Sequence, residues 1–76
     1  MKSTHSAQYE SFREALKQVR IDQGLTQKDV AERLKVPQSF VSKYENGERR
    51  LDVVEFITLA KALDVDYIKI LTKAGL

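Results

Sequence analysis

The stretch GLTQKDVAERLKVPQSFVSKYENG, residues 24–47, predicts two short helices joined by a tight turn. Thr26 is a good helix-capping residue, because its hydroxyl can accept a hydrogen bond from an exposed backbone amide. Pro37 disfavours helix in the residue before it and fits the first turn of a new helix, which is expected over about residues 38–45. Gly47 readily adopts the left-handed conformation that ends many helices. An ordinary helical hairpin and a helix-turn-helix both fit this pattern.

The amino-terminal part of the chain predicts a polar tail followed by one helix. Residues 1–8 are almost wholly polar, and we expect them to form a flexible tail. The folded domain is expected to span residues 9–76, starting with a helix that ends at Gly24. The apolar residues of this first helix recur at helical spacing and are Phe12, Leu16 and Val19.

The carboxy-terminal third predicts two more helices. Asp52 with Glu55 three residues later forms a capping box for the fourth helix, and Asp66 can cap a fifth helix that ends near Gly75. The inward-facing residues of these helices are expected to be Val53, Phe56, Ile57, Ala60, Leu63, Ile68 and Leu71, with Ile70 as a further candidate. The predicted fold is therefore all-α, with five short helices.

The composition excludes several classes of protein. A chain of 76 residues makes one small domain. It has no cysteine for a disulfide framework or a thiolate metal site, and no apolar run long enough for a membrane span or a secretory signal. We therefore expect a cytoplasmic protein that does not associate with membranes. The net charge of +2 is by itself only a weak indication of an anionic partner.

The outer face of the third helix carries residue types that recognise DNA bases. At 100° per residue its apolar side chains share one arc, which leaves the opposite face to Gln38, Ser39, Ser42 and Lys43. Glutamine can pair with adenine through two hydrogen bonds, lysine can donate to guanine, and serine can contact either a base or a phosphate. The alternative is a merely solvated surface, although glutamate and lysine would then be expected to predominate.

The spacing of several short motifs in this region matches a known family. The motifs are Thr26-Gln27, Ala31, Val41-Ser42 and Glu45-Asn46-Gly47, followed by ERRLD at residues 48–52. Together they resemble the Cro/repressor-type (XRE-like) helix-turn-helix family over about residues 10–72. The resemblance implies a five-helix, lambda-repressor-like DNA-binding domain whose second and third helices form the motif. It also implies that double-stranded DNA is the partner.

The resemblance assigns expected roles to individual residues. Gln27 would lie against a phosphate and brace Gln38. Base edges would be faced by Gln38, Ser39, Ser42 and Lys43. Asn46 and the loop of residues 48–50 follow the third helix, where the family meets the backbone of the second DNA strand, and Arg49 and Arg50 would contact its phosphates. For these two arginines a solvated charged loop is the alternative.

The resemblance also concerns two charged residues and two turn positions. The resemblance implies that Arg20 and Glu45 form an ion pair that fixes the angle of the third helix, the alternative being two independent surface charges. Lys35 and Asp64 stand where the family usually has glycine, and a positive φ there would strain a side chain by about 1 kcal/mol. Pro37 replaces the capping serine or threonine of many members.

A homodimer is expected on energetic grounds. One recognition helix contacts only a few base pairs, so specificity over a genome generally requires two helices about 34 Å apart on a palindromic operator. The candidate interface consists of Val53, Val54, Tyr67, Ile70 and Leu76, although these residues could instead close the core. Such a dimer would repress transcription by occupying a promoter.

Catalysis is not expected from this sequence. The single histidine, His5, lies in the predicted tail, and no metal-ligand or phosphate-loop spacing is present, so we expect no catalytic residue, no metal and no cofactor. The main alternative is an antitoxin or another regulator of the same fold that binds a protein partner. A restriction-modification controller or a phage repressor is also compatible with this length.

Overall fold

The computed structural model describes residues 6–76, and residues 1–5, with His5, lie outside it. Within this range the chain forms five helices and no strand, as predicted. The helices are α1 (Ala7–Asp22), α2 (Gln27–Leu34), α3 (Gln38–Asn46), α4 (Val53–Ala62) and α5 (Tyr67–Lys73). No helix in the described part of the chain is long and apolar enough to cross a membrane.

Side-chain caps begin four of the helices. Thr26 accepts from the amide of Asp29, and the Asp29 carboxylate accepts from the amide of Thr26, so the capping box of α2 is complete. Asp52 and Glu55 make the same reciprocal pair before α4, and Asp66 caps α5. The start of α1 differs from our prediction, because Ser6 caps the helix and residues 7 and 8 are already helical rather than part of a tail.

The turns place two side chains in the left-handed region. Lys35 ends α2 with φ at 60°, and Asp64 follows α4 with φ at 59°. These are the positions at which the family usually has glycine, so both residues carry the backbone strain that we expected. Gly24 and Gly47 also adopt positive φ, at 72° and 81°, after α1 and α3.

The core is formed by all five helices. Its fully buried members include Leu16, Val30, Val41, Tyr44, Leu59, Leu63 and Ile70. Ala31, only 3% exposed, provides the small side chain that lets α2 and α3 pack closely. This packing fixes α3 against the rest of the domain.

Three assignments on α4 and α5 were wrong. Val53, which we expected to face inward on the fourth helix, is 73% exposed. Ile70 is completely buried, so it belongs to the core and is not available to a dimer interface, whereas Ile68 is 56% exposed. Leu71 packs partly against the core. The reason is the orientation of α5 against α1 and α4, which turns Ile70 into the core and Ile68 towards solvent.

Candidate nucleic-acid interface

The outer face of α3 is open to solvent. Gln38, Ser39 and Lys43 are exposed, and Ser42 is half-buried. Asn46 is also exposed, and its amide donates a long hydrogen bond of 3.5 Å to the hydroxyl of Ser42. The inner face of the same helix buries Val41 and Tyr44. A convex helix with a polar outer face and short serine side chains has the shape and chemistry needed to enter a major groove.

A buried ion pair holds the far end of this helix. The Nε and NH2 groups of Arg20 on α1 donate to the Glu45 carboxylate at 2.7 and 3.1 Å. Arg20 also donates from NH1 to the carbonyl of Leu25, in the turn between α1 and α2. The hydrogen bond to Glu45 raises the pKa of Arg20 above its ordinary value. The arrangement expected from the resemblance is therefore present, and it links α1, the following turn and α3.

Gln27 has a different partner from the one we expected. Its side-chain amide donates to the Glu45 carboxylate at 2.9 Å instead of bracing Gln38. The physical reason is that the Glu45 side chain is only 3% exposed, and a buried carboxylate attracts every donor that can reach it. The carboxylate thus joins α1, α2 and α3 at one point.

Arg13 is a positioning residue that the sequence analysis missed. Its NH1 group donates to the backbone carbonyl of Glu45 at 3.1 Å. Gly47 has a positive φ, and a Cβ there would lie 3.0 Å from the Arg13 guanidinium carbon, so a side chain at this position would have to displace Arg13 slightly. The contact spans 32 residues along the chain, and no local pattern indicates it.

The two arginines after α3 have different surroundings. Arg49 forms two hydrogen bonds with the Glu55 carboxylate, at 3.0 and 2.6 Å, and its guanidinium stacks on Phe40 at 4.6 Å from the ring centroid. Arg50 stacks on Tyr9 at 4.4 Å and is exposed. Arg49 therefore packs against α3 and already has a carboxylate partner. Arg50 packs against α1 and lines an open apolar groove with Val53 and Leu76.

The amino-terminal end of α3 is free of acidic side chains. Pro37 makes no side-chain cap there, and the first turn holds no aspartate or glutamate. Nothing in that turn would therefore repel the phosphates of a bound duplex.

In residues 6–76 no group of histidine, cysteine, aspartate or glutamate side chains could hold a metal ion.

The paired helices α2 and α3, with a polar exposed surface on the second, define a helix-turn-helix DNA-binding domain. A helix-turn-helix family model matches residues 16–70. An XRE-family like protein from Pseudomonas syringae pv. tomato is 45% identical in sequence, with 93% of this chain and 87% of that chain covered and a TM-score of 0.86. The chain belongs to the XRE-type helix-turn-helix family of DNA-binding regulators.

Two further solved structures are similar. The restriction-modification controller protein C.AhdI from Aeromonas hydrophila is 30% identical, with 79% of this chain and 91% of that chain covered and a TM-score of 0.72. The clp gene regulator ClgR from C. glutamicum shares the fold, at 24% identity, 92% and 90% coverage of the two chains and a TM-score of 0.83. No curated protein sequence matches this chain.

Proposed function

We propose that this regulator is a cytoplasmic homodimer that binds a palindromic operator and represses transcription. The observation that carries the proposal is the open outer face of α3, where the side chains of Gln38, Ser39 and Lys43 are exposed and make no hydrogen bond within residues 6–76. Side chains with unused donors and acceptors on a rigid helix are well suited to read base edges. Phosphate contacts would supply much of the affinity, and α3 would select the sequence.

An apolar surface supports the dimer. Val53, Tyr67 and Leu76 are 73%, 42% and 57% exposed, and all three line one open groove of about 360 Å³. Val54, 71% exposed, does not line this groove but a separate pocket beside Phe40. A contiguous apolar groove on so small a domain is typical of a protein interface. A second copy fits the proposal because a twofold dimer doubles the number of base contacts.

The size of the domain is compatible with this geometry. The chain measures 32 × 23 × 20 Å along its principal axes. In a twofold dimer of bodies this wide, equivalent helices can lie about 34 Å apart, which is one turn of B-DNA. Two copies of α3 would then enter successive major grooves on one side of the duplex.

Selection of bound duplexes from a random DNA pool tests the operator. Recovery of a palindrome supports the dimeric DNA-binding protein. Lys43→Ala and Gln38→Ala are then expected to reduce affinity for the selected site by about 1–3 kcal/mol, and Gln38→Ala should relax the preference at one position. Lys61→Ala, at an exposed lysine in the last turn of α4, is the matched control and should leave affinity unchanged.

Sedimentation of Val53→Lys and Leu76→Lys variants tests the interface. Both substitutions place a charge in the apolar groove, so the dimer should dissociate while each monomer stays folded. If no sequence is enriched from the pool and the groove instead captures a different protein, the chain is a protein-binding regulator such as an antitoxin. A reporter gene placed behind the selected site distinguishes repression from activation.

A further inference from the structure

Arg49 is held by three contacts within the domain. Its NH1 and NH2 groups donate to the two oxygens of Glu55, and NH1 also donates to the backbone carbonyl of Arg50 at 2.9 Å. The face of its guanidinium covers the ring of Phe40 on α3. Arg49 therefore ties the recognition helix to the first turn of α4 and fixes the loop between them.

The partner of Arg49 is itself fixed in place. The Glu55 carboxylate also accepts from the amide of Asp52 and so completes the capping box of α4. The hydrogen bond from Arg49 lowers the pKa of Glu55, so this carboxylate stays ionised at neutral pH. A DNA phosphate that approached Arg49 would meet the negative charge of Glu55 as well.

Arg50 has no such partner. It forms no ion pair with a carboxylate in the described part of the chain, and it is exposed. Its stacking on Tyr9 restrains the guanidinium plane but leaves the hydrogen-bonding edge unoccupied. An arginine restrained in this way can bind a phosphate without first breaking an ion pair.

We propose that the two arginines have separate roles in binding: Arg50 contacts a DNA phosphate, and Arg49 is a positioning residue that holds the loop from which Arg50 extends. The inference rests on the proposed DNA-binding function and deepens it. It replaces the sequence-based expectation that both arginines are phosphate ligands. The electrostatic reason is that Arg49 is already paired with Glu55, whereas Arg50, unpaired within residues 6–76, is available to release counterions from DNA.

The salt dependence of operator affinity separates these roles. The logarithm of the binding constant should fall less steeply with the logarithm of salt concentration in Arg50→Ala, by about 0.9 per bound copy, because one phosphate contact is lost. Arg49→Ala should weaken binding about tenfold with an unchanged slope, as expected for a residue that acts through the position of others. All variants are compared at a temperature at which circular dichroism shows them to be folded.

Two conservative variants sharpen the test. Arg49→Lys keeps the charge but cannot form the two-pronged pair with Glu55, so its affinity should fall as far as that of Arg49→Ala. Glu55→Gln keeps a side chain that can cap α4 but removes the charge that holds Arg49, and it should also weaken binding. If Arg49 were a phosphate ligand, Arg49→Lys would retain affinity and Glu55→Gln would bind more tightly.

A reduced slope in Arg49→Ala, or an unchanged slope in Arg50→Ala, overturns the proposed division. These results are distinct from a failure of the proposed function. A wild-type protein that selects no DNA sequence contradicts DNA reading as a whole, and the role of Arg50 with it. A wild-type protein that binds its operator, with variants that show the opposite pattern, contradicts only the roles given to the two arginines.

Discussion

Replacement of Arg20 by Ala removes the charge that compensates a buried carboxylate. The Glu45 side chain is 3% exposed and Arg20 is 12% exposed, so solvent screens the pair little. In the variant only the Gln27 amide would still donate to that carboxylate. Removal of one partner from a buried pair destabilises a protein by about 3–5 kcal/mol, and the partial exposure of Arg20 favours the lower value.

This loss is large for a domain of this size. Total stabilities of roughly 4–11 kcal/mol are expected for such a chain. A loss of about 3 kcal/mol corresponds to a melting temperature lower by about 12–24 °C. Arg20→Ala is therefore expected to remain folded only at reduced temperature, where its operator affinity should also be lower because α3 is no longer held at its angle.

A double variant separates stability from orientation. Arg20→Met with Glu45→Leu replaces the pair by apolar side chains of similar volume, a change that is often neutral or stabilising in proteins. Its melting temperature, followed by circular dichroism, should return close to that of the wild type. Its operator affinity, followed by fluorescence anisotropy, should stay about tenfold below the wild type, because the hydrogen bonds that join α1, α2 and α3 are absent.

The operator affinity of the double variant decides whether the Arg20–Glu45 pair positions α3. If it binds the operator as tightly as the wild type, the ion pair does not position α3. Unchanged affinity in folded Arg20→Ala would lead to the same conclusion. Either result would refute the reasoning that a buried pair serves geometry here more than stability.

Three other changes test the backbone and the core. Lys35→Gly should raise the melting temperature by about 2–8 °C, since glycine avoids the strain of the left-handed conformation, and a thermal melt that shows a lower value than Lys35→Ala would contradict this. Gly47→Ala should destabilise the domain by more than Gly24→Ala, measured by urea unfolding, because both have positive φ but only Gly47 faces Arg13, at 3.0 Å. Burial raises the pKa of Tyr44, so the folded state keeps a proton that the unfolded state loses, and stability should fall by about 1.4 kcal/mol per pH unit above about pH 10. Tyr44→Phe should therefore lose less stability than the wild type as the pH rises above about 10. If the two proteins lose stability equally with pH, groups other than Tyr44 cause the loss.

The sequence predicted the helix boundaries well because caps act over short distances. Thr26 with Asp29, and Asp52 with Glu55, satisfy backbone amides within one turn, so residue type and spacing suffice to identify them. Lys35 was recognised in a different way, because the family that the sequence resembles usually has glycine at this position, and its φ of 60° is indeed left-handed.

The partners of long polar side chains could not be predicted in the same way. Gln27 reaches a carboxylate 18 residues away, and Arg13 reaches a carbonyl 32 residues away. Only the packing of the helices brings these atoms together. The wrong inward placement of Ile68 has a related cause, because a helix of seven residues is too short for its periodicity to determine which face is inward.

The buried side chains that stabilise this domain come from all five helices, whereas Gln38, Ser39 and Lys43 on the outer surface of α3 are exposed. In the proposed mode of binding, changes at residues 38, 39 and 43 would alter the preferred DNA target with little effect on folding, because these side chains are exposed. A duplicated gene for such a domain could acquire a new operator through a few point mutations. Because the core and the outer face of α3 use different side chains, few substitutions would separate one DNA target from another.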